Sequence, residues 1–275
     1  MAKRATMLEQ ADEVVTYRAP ALEKGLDVLE LLAGQPGGLI LSQIAHSLDR
    51  SVQEVYRVVV SLERRGYVTR RPPGDAFFLT MKLFDLACNY PPTRLLLDAA
   101  QPVLQALATQ INEAVHLSVL DGLKVRVIAV ADNPAPVGFR VRLGTLSPLL
   151  TTASGRTLLA FQNERRRAGL LEATVEEHRA HGDDPAPLLD RIERIAARGY
   201  EVVADETLRG ITDVSFPILD GSGAAQAVLT MPFVLWVTNQ VRLADASRQL
   251  YEAAIVLNEQ IGGALPVSDF RLDEG

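Results

Sequence analysis

Apolar positions recur at two different periods along these 275 residues, and the change of period divides the chain. From Pro20 to Ala33, Leu22, Leu26, Leu29 and Leu32 mark one face of a helix, which Gly34 to Gly38 ends and Pro36 secures. Leu39 to Leu41 reads as a short strand, with Ser42 capping the short helix that follows. Val55, Val58, Val59 and Leu62 then predict a second helix from about Ser51 to Arg65, leaving Gln53, Arg57, Ser61 and Arg64 on its opposite face. Ser51 followed three residues later by Glu54 is a capping box, and Gly66 stops the helix after the cations Arg64 and Arg65. Tyr67 to Arg70 alternates as a strand, and Phe77 to Thr80 pairs back on it across Arg71–Ala76. The pattern is a helix-turn-helix whose hairpin is a wing.

Downstream the signals mix. Met81 to Tyr90 reads as a short helix that Pro91-Pro92 breaks, and Thr93 to Ile111 as a longer one. Strands are expected at Val115–Leu120, Val125–Ala131, Phe139–Val141, Tyr200–Ala204, Val214–Leu219 and Ala225–Phe233, with hairpin turns at Asp121-Gly122 and at Asp220 to Gly223. Helices are expected at Ser154–Phe161, Glu164–Glu177, Leu188–Arg198 and Val241–Ile261. Antiparallel strands with intercalated helices predict an α+β domain. The expected organisation is a flexible arm over 1–18, a winged helix-turn-helix over 19–80, a helical linker over 81–111, an α+β domain over 112–265 and a tail over 266–275.

Charge changes the picture of the partner. The whole chain carries −6, which argues against nucleic acid, yet residues 1–94 hold 12 Lys and Arg against 11 Asp and Glu, so the acidic excess lies downstream. Arg50, Arg57, Arg64, Arg65, Arg70 and Arg71 face only Glu54 and Glu63 in their stretch. Phosphate attraction depends on charge within a Debye length of about 8 Å, so this local surplus suits DNA; the other reading is a solvated helix end. A helix with its back in a core and polar side chains in front fits the major groove. No apolar run is long enough to cross a bilayer and no secretory leader is legible, so a cytoplasmic protein without membrane partners is expected. The single cysteine, Cys88, excludes an internal disulfide framework.

Candidate chemistry is sparse, and no catalytic residue, metal site or cofactor is expected. Gly221 and Gly223 belong to a hairpin rather than a dinucleotide fingerprint, and Ser154 lacks the first glycine of a nucleophile elbow. Thr152, Ala153, Ser154 and Gly155 offer a helix N-terminus with two hydroxyls and free N–H groups, suited to an anion; the alternative is a plain helix cap. His178 and His181, near Asp183 and Asp184, read as a solvated helix end or a metal cluster. Asp213 and Ser215, two apart, share a strand face that either lines a pocket or serves a loop cap, and His116 faces core or cavity.

The stretches ALEKGLDVLELLA, LERRGYV, LSPLLTTASGRTLLAF and RGYEVVADETLRGITDVSFPILDGSG resemble the IclR family of bacterial transcriptional regulators from about Pro20 to Ile261. The resemblance implies a DNA-binding winged helix-turn-helix, a helical linker and a GAF-like or profilin-like α+β domain that binds a small-molecule effector. It also implies dimers, or dimers of dimers, on palindromic operator DNA, and effectors such as aromatic acids, sugars or small carboxylates. Gln53, Glu54 and Arg57 match its recognition helix, Thr152 to Arg156 its effector-binding helix start, and Asp213 and Ser215 its pocket. The DNA-binding set is thus Arg50, Ser51, Gln53, Glu54, Arg57, Ser61, Arg70 and Arg71; the effector set is His116, Thr152, Ala153, Ser154, Gly155, Asp213 and Ser215. The chain departs from the family at Asp49, where Gly is usual, at Gln53-Glu54, where a Ser-Thr pair is usual, at Arg156 for Lys and at Asp213 for a frequent Cys. The rival readings are a ligand-binding protein that no longer holds DNA and an enzyme acting through its second domain.

Overall fold

The computed structural model describes residues 19–71, 74–236, 241–267, 270 and 272; the expected arm over 1–18 lies outside them. The chain divides into two compact units, at Tyr90/Pro91.

The first unit contains α1 (Pro20–Ala33), α2 (Leu41–Ser47), α3 (Val52–Arg64), β1 (Val68–Arg71), β2 (Ala76–Leu79) and α4 (Lys82–Cys88). Val28 and Leu32 of α1, Ile44 and Ala45 of α2 and Val55 and Val59 of α3 close one core with Val68 and Phe77 of the hairpin. The hairpin is antiparallel, Val68 opposite Leu79, and Leu39 adds a single bridge to Phe77. Ser42 does not cap α2: the helix begins one residue earlier, and the Gln43 side chain accepts the Ile40 N–H at 3.0 Å instead. Asp49, in the turn between α2 and α3, has φ 49°, a left-handed conformation that Asp tolerates better than most residues and that Gly adopts freely.

The second unit contains α5 (Pro91–Ile111), β3 (Val115–Asp121), β4 (Lys124–Ala131), β5 (Leu146–Pro148), α6 (Ala153–Ala160), α7 (Glu164–Ala180), α8 (Ala186–Arg198), β6 (Glu201–Ala204), β7 (Ile211–Leu219), β8 (Ala225–Val234) and α9 (Leu243–Gln260). The expected α+β architecture is present: a six-stranded sheet in the order β5-β4-β3-β8-β7-β6, with every neighbouring pair antiparallel. One face packs Leu117, Val214, Phe216, Leu229 and Met231 against Leu104 and Ile111 of α5 and Leu250 and Leu257 of α9. The opposite face takes Leu158 and Leu159 of α6, Val175 of α7 and Ile192 and Ile195 of α8.

Four expectations shift. Phe139–Val141 is not a strand; the edge strand is β5, because Gly144 at φ 81° turns the chain so that Leu146 to Pro148 pairs with β4. Pro91-Pro92 does not separate two helices so much as open the second, since proline fits a first helical turn. The expected linker is shared: α4 belongs to the first unit, whereas α5 buries Leu96, Ala100, Leu104 and Leu107 in the core of the second. Phe270, within the stretch read as a tail, is buried against that same core.

Candidate functional site

The front of α3 is built as its periodicity requires. Val55 and Val59 are buried, while Gln53, Arg57, Ser61 and Arg64 are exposed. The capping box forms: Ser51 Oγ accepts the Glu54 N–H at 3.3 Å and the Glu54 carboxylate accepts the Ser51 N–H at 3.4 Å. Lys24 of α1 then reaches Glu54 at 2.7 Å. Together the Lys24 and Ser51 hydrogen bonds hold the Glu54 carboxyl down at about 2. The negative charge beside the recognition surface therefore has a cation of its own, and Lys24 is the residue that sequence reasoning missed, because it lies thirty positions away.

The remaining basic residues divide in two. Arg50 pairs with Asp27 at 2.7 Å, and Arg70 pairs with Glu63 at 3.4 Å while lying over the Phe77 ring. Arg57 makes no ion pair among the described residues, and Arg71 makes only a cation–π contact, 4.9 Å above the Phe78 ring. Gln53, Arg57, Ser61 and Arg71 are thus the side chains of the expected DNA set left for a partner, whereas Arg50, Ser51, Glu54 and Arg70 hold one another's elements in place.

In the second unit a cavity of about 320 Å³ opens between the α6 start, the sheet and the segment Phe139–Arg142. His116, Thr152, Ala153, Ser154 and Asp213 line it together, as do Ser118, Arg140, Arg142, Thr207 and Thr230, which sequence reasoning did not single out. Phe139 and Val141, whose alternation suggested a strand, form with Val125, Val127 and Ile211 the apolar part of its wall. Gly155 and Ser215 stand behind the wall. A Cβ on Gly155 would lie 1.9 Å from the Leu149 carbonyl oxygen, so this glycine lets the α6 start press against the backbone before it. Ser215 Oγ and Ser154 Oγ both meet Thr230 Oγ1, at 2.8 and 2.9 Å, a hydroxyl chain that ties α6 to the sheet.

The α6 start is capped. Thr152 Oγ1 accepts the Gly155 N–H at 3.2 Å and donates to the Pro148 carbonyl at 2.8 Å, so the cap forms, while the N–H groups of Ala153 and Ser154 head the helix without a capping side chain. Burial raises the Asp213 carboxyl to about 6, with Glu206 pushing the same way and Arg156 opposing. Burial also lowers His116 to about 4, so its ring is neutral. Arg156 itself is fully buried, held by Glu201 at 3.2 Å, Glu206 at 2.7 Å and the Leu150 carbonyl at 3.3 Å. No group of His, Cys, Asp and Glu among the described residues is placed to hold a metal ion. No helix among them is long and apolar enough to cross a membrane.

Comparison with known proteins bears on both surfaces. The family model of the IclR helix-turn-helix domain matches residues 21–72, and that of the bacterial transcriptional regulator IclR C-terminal domain matches residues 92–258. The HTH-type transcriptional regulator BhcR of Paracoccus denitrificans strain Pd 1222 is 29% identical over 243 residues, 85% of this chain and 84% of the relative. KdgR of Escherichia coli strain K12, also an HTH-type transcriptional regulator, is 25% identical over 242 residues, 87% of this chain and 91% of the relative. Pseudomonas aeruginosa HmgR shares the fold with a TM-score of 0.69 at 24% identity, covering 89% of this chain and 100% of that one. An IclR homolog from Microbacterium hydrocarbonoxydans, complexed with 4-hydroxybenzoate, superposes with a TM-score of 0.70 at 21% identity, covering 88% of this chain and 98% of that one. With one family model spanning the effector unit and another the helix-turn-helix, the chain belongs to the IclR family: it is a DNA-binding transcriptional regulator with a C-terminal effector-binding domain.

Proposed function

We propose that this regulator reads its operator with Gln53, Arg57, Ser61 and Arg71, and that its effector is a small aromatic carboxylate carrying a hydroxyl group. The observation that carries the DNA half is the division among the basic residues. Arg57 and Arg71 have no carboxylate among the described residues, while Arg50 and Arg70 are engaged inside the unit. At fixed salt, Arg57→Ala and Arg71→Ala are each expected to weaken operator binding by about tenfold to a hundredfold, the range for a lost base or phosphate contact. Unchanged affinity in both variants, measured by gel shift, removes this assignment. Leu22, Leu26, Leu83, Phe84 and Leu86 leave an exposed apolar surface on the same unit, which supports a second copy covering it on a palindromic operator.

The effector half rests on the cavity. Its volume suits a ligand built on one ring. The uncapped N–H groups of Ala153 and Ser154 and the nearby Arg142 suit a carboxylate, the apolar wall suits the ring, and Asp213 suits a hydroxyl donor. A structural neighbour is complexed with 4-hydroxybenzoate, which makes that compound the first probe. The ligand hydroxyl donates more strongly to Asp213 when the carboxyl is ionised, so protonation of the free protein weakens binding. Affinity for 4-hydroxybenzoate is therefore expected to be full above pH 6 and to fall by up to about tenfold per unit as pH drops below it. Asp213→Asn is expected to flatten that profile and leave operator affinity intact. An unchanged profile in the variant, followed by calorimetry, assigns the titration to another group.

A further inference from the structure

We propose that residues 139–143 are a strap that docks on the free outer edge of β4 when the effector cavity is filled, extending β5 and locking the cavity wall that the strap itself forms. The inference rests on reading that cavity as the effector pocket, and it assigns the ligand no chemical class. Phe139 to Leu143 alternates apolar and basic residues as a strand does, yet forms none. The partner that such a strand needs lies beside it. On its outer side β4 pairs with β5 from Lys124 to Arg126, and Val127 adds two bonds: its N–H donates to the Thr145 carbonyl at 3.0 Å and its carbonyl accepts the Gly144 N–H at 2.9 Å. From Ile128 to Ala131 that edge has no backbone partner among the described residues. The ladder stops where the Thr145 N–H turns back to the Arg142 carbonyl at 3.1 Å, with Gly144 at φ 81°. A free edge of this kind invites another strand.

A groove of about 590 Å³ lies between the two, with Ile128 to Asp132 on one bank and Arg140 to Leu143 on the other. Phe139, Arg140, Val141 and Arg142 also wall the effector cavity, so the strap stands between two hollows. Continued past Arg126 opposite Leu146, the register of β4 and β5 sets Ala129 opposite Leu143, Val130 opposite Arg142 and Asp132 opposite Arg140. Arg140 and Asp132 already form an ion pair. The far end of the strap is therefore held at that register, as the near end is at Val127, and only the middle is open. Leu117 pairs with Ala129 and Ser118 with Val127, which leaves Ile128 of β4 as an extra residue. It falls opposite Gly144, whose positive φ accommodates a matching irregularity. Opposed residues share a face of the sheet. Ala129 packs into the core that α5 covers, so docking turns Leu143, 67% exposed, toward that helix. Val130 pairs with His116 of the cavity wall, so docking turns Arg142 toward the cavity. A ligand that engages the strap in this position binds the docked state more tightly, which is the condition for occupancy to drive docking.

The test is hydrogen exchange of the full chain with and without 4-hydroxybenzoate. The ligand is expected to slow the outer-edge amides between Ile128 and Asp132 by about tenfold, although these residues line the groove and not the cavity. Leu143 likewise lines the groove alone, so a pocket without a strap is indifferent to its replacement. Leu143→Asp is expected to weaken 4-hydroxybenzoate binding about tenfold, as the binding-competent fraction falls, while melting and operator affinity stay with the parent because the side chain is exposed. Leu143→Ile is expected to bind as the parent does. Independently, Ala129→Cys with Leu143→Cys in a Cys88→Ser background is expected to form a disulfide under mild oxidation, and to form it faster with ligand present. The strap is overturned if the ligand binds without slowing exchange at Ile128 to Asp132, if Leu143→Asp keeps full affinity, or if the disulfide does not form. Absence of 4-hydroxybenzoate binding overturns the pocket reading instead, and formation of the disulfide then decides the docking of the strap by itself.

Discussion

Glu201→Leu is expected to destabilise the effector-binding unit by roughly 3–5 kcal/mol, the cost of breaking a buried ion pair by removing one partner. Glu201 is fully buried at the start of β6, where Arg156 approaches at 3.2 Å, Arg191 at 2.7 Å and Arg198 closes the group. Removing the carboxylate leaves Arg156, itself fully buried, with Glu206 as its one remaining ion-pair partner among the described residues and three guanidinium groups facing one another. For a unit of this size the melting temperature should drop by on the order of 10 °C. The double variant Glu201→Leu with Arg156→Met should recover much of the loss, since it withdraws the stranded charge along with its partner. A loss under about 1 kcal/mol in the single variant, measured by urea denaturation, would show that solvent reaching Arg191 and Arg198 already neutralises the cluster. The effect has a functional side, because Arg156 is also the cation that opposes the rise which burial and Glu206 impose on the Asp213 carboxyl at the cavity.

Phe270→Ala should cost about 3–5 kcal/mol, the range for deleting a large buried aromatic ring. Phe270 meets Tyr200 edge-on with ring centroids 4.8 Å apart and Phe216 edge-on at 5.1 Å, and Tyr251 lies 5.6 Å away. Tyr251 Oη donates to the Val267 carbonyl at 3.0 Å, which anchors the approach of the chain to this cluster. The ring fills the face of the sheet opposite the cavity, so the loss should appear in stability while operator contacts of the first unit stay unaltered. Phe270→Leu should lose less than half as much. If Phe270→Ala melts with the parent, the C-terminal residues do not hold the core in solution.

These two effects fall where the chain was hardest to read. Glu201 lies next to Tyr200 in an alternating apolar strand; Arg198 is three residues away, but nothing local says that Arg156 of α6 and Arg191 of α8 converge on it as well. Phe270 stands in a short polar run that looks like a tail, and only the aromatic residues Tyr200, Phe216 and Tyr251, far away in sequence, give it a place. The opposite case is α3. Its back, front, cap and stop are set by residues within one another's reach along a single helix, so the span inferred from spacing differs by one residue at each end from the one observed. The cavity lies between these extremes. Its α6 start was legible because a cap is local, and Asp213 because alternation places it on a definite strand face. Ser118, Thr230 and Arg142 were not, since they enter the wall through strand order and a loop.

What the sequence by itself determined is therefore the set of local structures: a capped recognition helix, the wing, the α+β succession and the hydroxyl-bearing start of α6. Each follows from interactions spanning a few residues, where periodicity and capping chemistry suffice. What only the tertiary structure decided is which faces meet. The Ile128 bulge breaks the regular alternation of β4, and with it decides which side chains look into the cavity. The order β3-β8-β7 brings His116, Thr230 and Ser215 into one row although Ser215 and Thr230 lie far downstream of His116 in the sequence. The physical reason is that strand pairing and burial are settled by the packing of the whole sheet between its two layers of helices, and no segment of the chain carries that balance alone.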